Sequence, residues 1–152
     1  MPDKRYDMRY YVIAGEPSGD LHGGKLMQQI AANDPEAEFR CTGGDTMAQI
    51  AGPGRLKYHY KEMSFFGFVQ VALNLRTIFS QIDEVKSDIA SFNPDVVILI
   101  DYPAFNLRIA KWAKSRGIKV YYYIAPKVWA WKERRVKKLR RYVDRLYTIF
   151  PF

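Results

Sequence analysis

Cysteine is nearly absent, Cys41 being the only one. A lone thiol excludes an intrachain disulfide and any cysteine-built metal centre, and it fits a reducing compartment. Histidine is almost as scarce: His22 and His59 stand far apart, so a histidine-based metal site has no support. No apolar run approaches the roughly 18 residues that a bilayer-spanning helix needs. The first seven residues are polar and lack the apolar core of a secretory signal. Acidic residues are outnumbered, 16 against 24 Lys and Arg, which leaves a formal net charge of +8. That excess is uneven. Residues 127–145 hold nine Lys and Arg against Glu133 and Asp144, a net of +7, so an anionic partner is expected at that end. Nucleic acid would suit the charge, but no recognised nucleic-acid-binding motif is present.

Hydrophobic residues make up 48% of the 152, enough for one domain with a real core. By period, the chain alternates strand and helix. Strands are expected at residues 9–14, 37–42, 56–60, 95–100, 118–124 and 145–150. Helices are expected at 21–32, 46–51, 67–91, 106–115 and 132–143. The long fourth-strand approach carries Phe68, Val71, Leu75, Ile78, Ile82, Val85 and Ile89 at alternating steps of three and four, an amphipathic stripe. Gly117 reads as a helix stop. Such alternation predicts an α/β fold, a doubly wound parallel sheet; if its first and fourth strands are neighbours, as in the order 3-2-1-4-5, Glu16 and Asp101 face one crevice. The chain stops directly after a strand, where a covering helix is expected, so it reads as the front half of something larger.

Two strand–loop junctions carry the chemistry: Gly15-Glu16-Pro17-Ser18-Gly19-Asp20 and Asp101-Tyr102-Pro103-Ala104-Phe105-Asn106. Ligands of open α/β sheets bind beyond the carboxyl ends of the strands, which is where Glu16 and Asp101 fall. Asp101 follows five apolar residues, so partial burial should raise its pKa and suit it to proton transfer. Glu16 reads equally well as a solvent-exposed surface acid. Gly15 and Gly19 let backbone approach a ligand or let a helix pack closely on the sheet. The pattern is neither a dinucleotide fingerprint nor a Walker loop. Ser18 and Asp20 are ligands or simple helix caps, and Asn106 is an N-cap or a ligand of a sugar hydroxyl. Tyr121, Tyr122 and Tyr123 are expected to pack on alternate faces of a strand. Phe65, Phe66, Phe68, Val69 and Leu73 exceed what one buried seam needs. With Trp129, Trp131 and the basic run, they fit acyl chains or an anionic membrane surface.

Five blocks occur in order: Gly15-Glu16-Pro17-Ser18-Gly19-Asp20 with Gly23; Phe66-Gly67-Phe68-Val69; Ile100 to Asn106; Pro126-Lys127-Val128-Trp129-Ala130-Trp131; and Phe150-Pro151-Phe152. The series resembles the N-terminal half of the lipid-A-disaccharide synthase family. The resemblance implies the N-terminal domain of an inverting GT-B glycosyltransferase, Rossmann-like and in three α/β/α layers. Residues 1–152 would form that single domain, with the C-terminal UDP-sugar-binding domain absent from this chain. It further implies transfer of 2,3-diacylglucosamine from its UDP derivative to 2,3-diacylglucosamine 1-phosphate, giving the β-1,6 lipid A disaccharide and UDP. The family works without a metal or other cofactor at the cytoplasmic face of the Gram-negative inner membrane. By that likeness Asp101 is the base, Glu16 orients acceptor or base, and Gly15, Ser18, Gly19, Asp20 and Asn106 contact substrate. Pro17 and Ala104 depart from the family pattern, where a small residue and, in some members, a second acid stand. The rival expectation is a non-catalytic α/β module that binds membrane or phosphate.

Overall fold

Strands β1 (Arg9–Ala14), β2 (Glu38–Gly43), β3 (Leu56–His59), β4 (Val96–Ile100), β5 (Lys119–Ile124) and β6 (Arg145–Thr148) pair in parallel throughout. Their order is β3-β2-β1-β4-β5-β6, so the sheet is wound outward in both directions from β1 and β4. The computed structural model describes residues 8–63, 75–124 and 133–148. Helices α1 (Pro17–Asn33), α2 (Asp45–Ala51), α3 (Leu75–Phe92), α4 (Pro103–Ser115) and α5 (Glu133–Tyr142) lie between the strands. The expected apolar or membrane residues Phe65, Phe66, Phe68, Val69, Leu73, Trp129 and Trp131 lie outside the described residues, as does the front of the expected helix 67–91.

Side chains alternate across a strand, and here each set meets a different helix layer. Val12, Ala14, Cys41, Ile98 and Ile100 pack with Met27 of α1 and Met47 of α2. Tyr11, Ile13, Val97, Leu99 and Tyr122 pack with α3, α4 and Leu139 of α5. Helices therefore cover both faces, which is why β4 is apolar and buried at all five positions. The expected stripe is kept where it is described: Ile78, Ile82, Val85 and Ile89 are the buried face of α3. Each such burial contributes roughly 1.5–3 kcal/mol. The three tyrosines divide as expected, Tyr122 toward one layer and Tyr121 and Tyr123 toward the other.

Helix ends follow local chemistry. Gly117 takes φ 73° past α4, and the Ile118 N–H donates to the Ala113 carbonyl at 3.0 Å, a left-handed stop of the common kind. Helix starts correct the sequence reading. α1 opens at Pro17 and α4 at Pro103, ahead of the expected starts at Leu21 and Asn106. Proline lacks the N–H that a first helical residue leaves unused, and its fixed φ suits that position. Asn106 is thus inside α4 and is not its cap.

Candidate active site at the β1–β4 mouth

The two innermost strands end at the same level, because their register pairs Ala14 with Ile100. Gly15-Glu16 and Asp101-Tyr102 therefore leave the sheet side by side. Each pair leads at once into a proline-opened helix. Glu16 is the N-cap residue of α1 and is exposed, with the exposed Ser18 just beyond it. Gly15 is needed for close approach: a Cβ there would fall on the ring of Tyr102. The two loops are thus in contact through one glycine and one aromatic ring.

Asp101 and Tyr102 both adopt left-handed backbone, with φ 45° and 55°. A non-glycine residue there costs roughly 1–2 kcal/mol, and strain of this kind gathers at functional loops. Hydrogen bonds hold the Asp101 peptide in place. Its N–H donates to the Tyr123 carbonyl at 2.7 Å. Its carbonyl accepts from Asn106 Nδ2 at 2.8 Å and from the Tyr122 hydroxyl at 2.6 Å. The Tyr102 ring stacks on Phe105, and its hydroxyl donates to the Met63 carbonyl at 3.4 Å.

Burial pushes the half-buried Asp101 carboxyl above the usual carboxylate value, and the charge of Glu16 pushes the same way. The Tyr102 N–H and the Arg135 guanidinium of α5 oppose that rise. Proximity to a helix N-terminus would favour the charged form, so here desolvation wins. Burial also raises the Tyr122 hydroxyl well above its ordinary value, with Asp101 adding to the effect, so Tyr122 stays protonated and remains a donor. The mouth holds two neighbouring carboxylates, one of them with raised basicity. That is the equipment for taking a proton from a hydroxyl.

Residues 10–152 match the family model described as lipid-A-disaccharide synthetase. The chain belongs to that family. Lipid-A-disaccharide synthase of Geobacter metallireducens is 44% identical over 144 residues, covering 95% of this chain and 37% of the relative. The synthase of Trichlorobacter lovleyi is 42% identical with the same coverage. That of Coxiella burnetii is 38% identical over 141 residues, 93% of this chain and 37% of the relative. The chain therefore spans little more than a third of these relatives' length. A putative UDP-N-acetylglucosamine 2-epimerase from Listeria monocytogenes superposes with a TM-score of 0.63 at 13% identity, over 93% of this chain and 38% of that one. At that identity the likeness establishes the fold alone.

Within this synthetase-family chain, Gly15, Glu16 and Asp101 come together at the mouth, and Ser18 is exposed on the first turn of α1. Gly19, Asp20 and Asn106 lie beneath the mouth. Gly19 packs α1 on the sheet, its Cβ position 3.1 Å from Ala14 Cβ. Asp20 is 5% exposed and accepts three backbone N–H groups, from Gly44 at 2.8 Å, Met47 at 3.0 Å and Thr46 at 3.1 Å. It caps α2, a role across the fold that sequence reading assigned only within its own helix. His59 also has local work: Nδ1 accepts from the Lys61 N–H, and Nε2 faces Asp45 Oδ1 at 3.2 Å. Sequence reasoning missed Tyr102, Tyr122 and Arg135 as partners of the mouth. The tyrosine at the middle of β5 gave no local signal, because its hydroxyl reaches Asp101 only through the β4–β5 pairing. Among the described residues no helix is long and apolar enough to cross a membrane.

Proposed function

We propose that this chain is the acceptor-side half of a lipid-A-disaccharide synthase, an inverting glycosyltransferase. The observation that carries the reading is the Ala14–Ile100 register, which brings Glu16 and Asp101 to one mouth inside a family whose members bear that activity in their names. In the proposed reaction Asp101 takes the proton of the 6-hydroxyl of 2,3-diacylglucosamine 1-phosphate. The freed oxygen attacks the anomeric carbon of UDP-2,3-diacylglucosamine from the face opposite UDP. A β-1,6 bond forms, the bond to UDP breaks, and UDP leaves with its electron pair. A carboxylate of raised basicity suits the first step. Glu16 orients acceptor and base, Ser18 and the Gly15 backbone contact the sugar, and Gly19, Asp20 and Asn106 hold these groups in place. The remaining length of the relatives would supply the UDP-sugar side, and the net +7 of residues 127–145 supports docking at an anionic inner-membrane surface from the cytoplasm.

The test is sugar transfer by the intact synthase carrying this chain. Asp101→Asn should lower turnover by roughly 100- to 10,000-fold, the range for loss of a general base, with little change in KM. Turnover near that of the parent would remove Asp101 from the role. Absence of transfer by the parent itself would leave the non-catalytic module. For the membrane claim, flotation with anionic vesicles should fall as salt rises, and failure to float at low salt would defeat it.

A further inference from the structure

Beside the mouth runs a groove of ≈ 350 Å³ between α4 and α5. It is lined by Arg108, Lys111, Arg134, Arg135 and Lys138, and among the described residues no acidic side chain lines it. Pro103 and Ala104, the first two residues of α4 after the Asp101-Tyr102 loop, form part of its wall. Arg108 and Lys111 are three apart on α4, while Arg134 and Lys138 are four apart on α5. Each helix therefore presents a same-face pair of cations, and the two pairs meet in one cleft. Gathering like charge this way is unfavourable for the empty fold. Asp144 is turned to Lys114 and to the Val120 N–H instead. Arg108 is braced on the Phe79 ring, 5.1 Å from its centroid. Arg135 reaches far enough toward the mouth for Asp101 to feel its charge. A dianionic phosphomonoester, with three acceptor oxygens, is the ligand chemistry that guanidinium and ammonium groups converging from two sides recognise.

We propose that the α4–α5 groove is a phosphomonoester-binding subsite, and that it anchors the phosphate of the acceptor sugar so that its hydroxyl lies over Asp101. The second half of this statement rests on the proposed glycosyl transfer; the first half stands on the groove.

Calorimetric titration of the chain with inorganic phosphate, glucosamine 1-phosphate and glucosamine, at fixed ionic strength, tests the first half. Both phosphate-bearing probes should bind and glucosamine should not. The double variant Lys111→Gln/Lys138→Gln, at two exposed positions, should weaken binding about tenfold or more. Lys25→Gln/Lys61→Gln, an equal loss of charge elsewhere, should leave it unchanged. Equal losses in the two doubles would reduce the effect to general attraction and overturn the subsite. So would binding to phosphatidylglycerol vesicles that neither phosphate probe competes away, which would make the groove a lipid-surface contact. In the intact synthase, Lys111→Gln/Lys138→Gln should raise KM for the phosphorylated acceptor and spare KM for the UDP-sugar. An unchanged acceptor KM with transfer intact overturns the anchoring role and leaves the enzyme reading standing. Groove-dependent phosphate binding without transfer by the parent upholds the subsite and refutes the enzyme reading.

Discussion

Replacing Asp20 separates a capping role from a ligand role, because its two oxygens have different partners. Oδ1 accepts the buried N–H groups of Gly44 and Met47, and Oδ2 accepts the less buried N–H of Thr46. The N-cap residue of α2 is Gly44, which has no side chain to do this work. Hydrogen bonds to a charged group are worth about 1.5–3 kcal/mol net, and water can replace part of the Thr46 bond. Asp20→Ala should therefore cost roughly 4–6 kcal/mol, a large share of the about 5–15 kcal/mol that holds a domain folded. Asp20→Asn keeps an acceptor for Gly44 and Met47 but turns an NH₂ toward the Thr46 N–H, a loss of about 1.5–2 kcal/mol. With a urea slope of about 2 kcal/mol/M, the unfolding midpoint should fall by about 2–3 M for alanine and about 1 M for asparagine. Equal losses in the two variants, or a loss below about 1 kcal/mol for alanine, would refute the capping account.

The mouth supports three further predictions. The folded-state pKa of Asp101 is raised by burial and by Glu16, so the folded chain holds that proton more tightly than the unfolded chain, and ionising it opposes folding. Stability from this group is thus present below the ordinary carboxylate value and falls as pH rises through the raised one. Asp101→Asn should be more stable than the parent at neutral pH in urea melts, the gap closing as pH falls below about 4; a gap independent of pH would break the argument. Tyr122→Phe removes the 2.6 Å bond to the Asp101 carbonyl and should cost about 1 kcal/mol. In the intact synthase proposed above, the variant's transfer rate should fall with the acceptor KM little changed, whereas unaltered turnover would detach the loop strain from function. Gly15→Ala should cost about 1–3 kcal/mol by overpacking, with a changed near-ultraviolet circular dichroism as the Tyr102 ring moves; a spectrum identical to the parent's would show that the ring is not confined there.

The parallel sheet and the position of both carboxylates at strand ends were legible because they depend on local signals. Five consecutive apolar residues before Asp101 specify a strand buried on both faces, and strand–helix alternation then fixes a parallel sheet with its mouth at the strand ends. The helix starts at Pro17 and Pro103 were not legible by the same habit. Proline is read as a breaker in a window, and here it opens a helix twice, which makes the two loops shorter than expected and brings Glu16 to an N-cap position. The left-handed pair Asp101-Tyr102 was beyond sequence reading, since tyrosine carries no preference for that backbone. Its hold comes from Tyr122, Tyr123 and Asn106 through strand pairing and a helix turn. The partners of Asp20 were hidden for a similar reason: Gly44 is 24 residues away in sequence.

The contact between Gly15 and the Tyr102 ring has an evolutionary consequence. Each loop occupies the room the other would need to change, so the two positions cannot drift independently. A lineage that placed a methyl group at position 15 would first have to shrink the aromatic at 102, and that step would release the ring from Phe105 and Met63 before any compensation arrived. Neutral paths of single substitutions through the mouth are therefore few, and remodelling it requires paired changes.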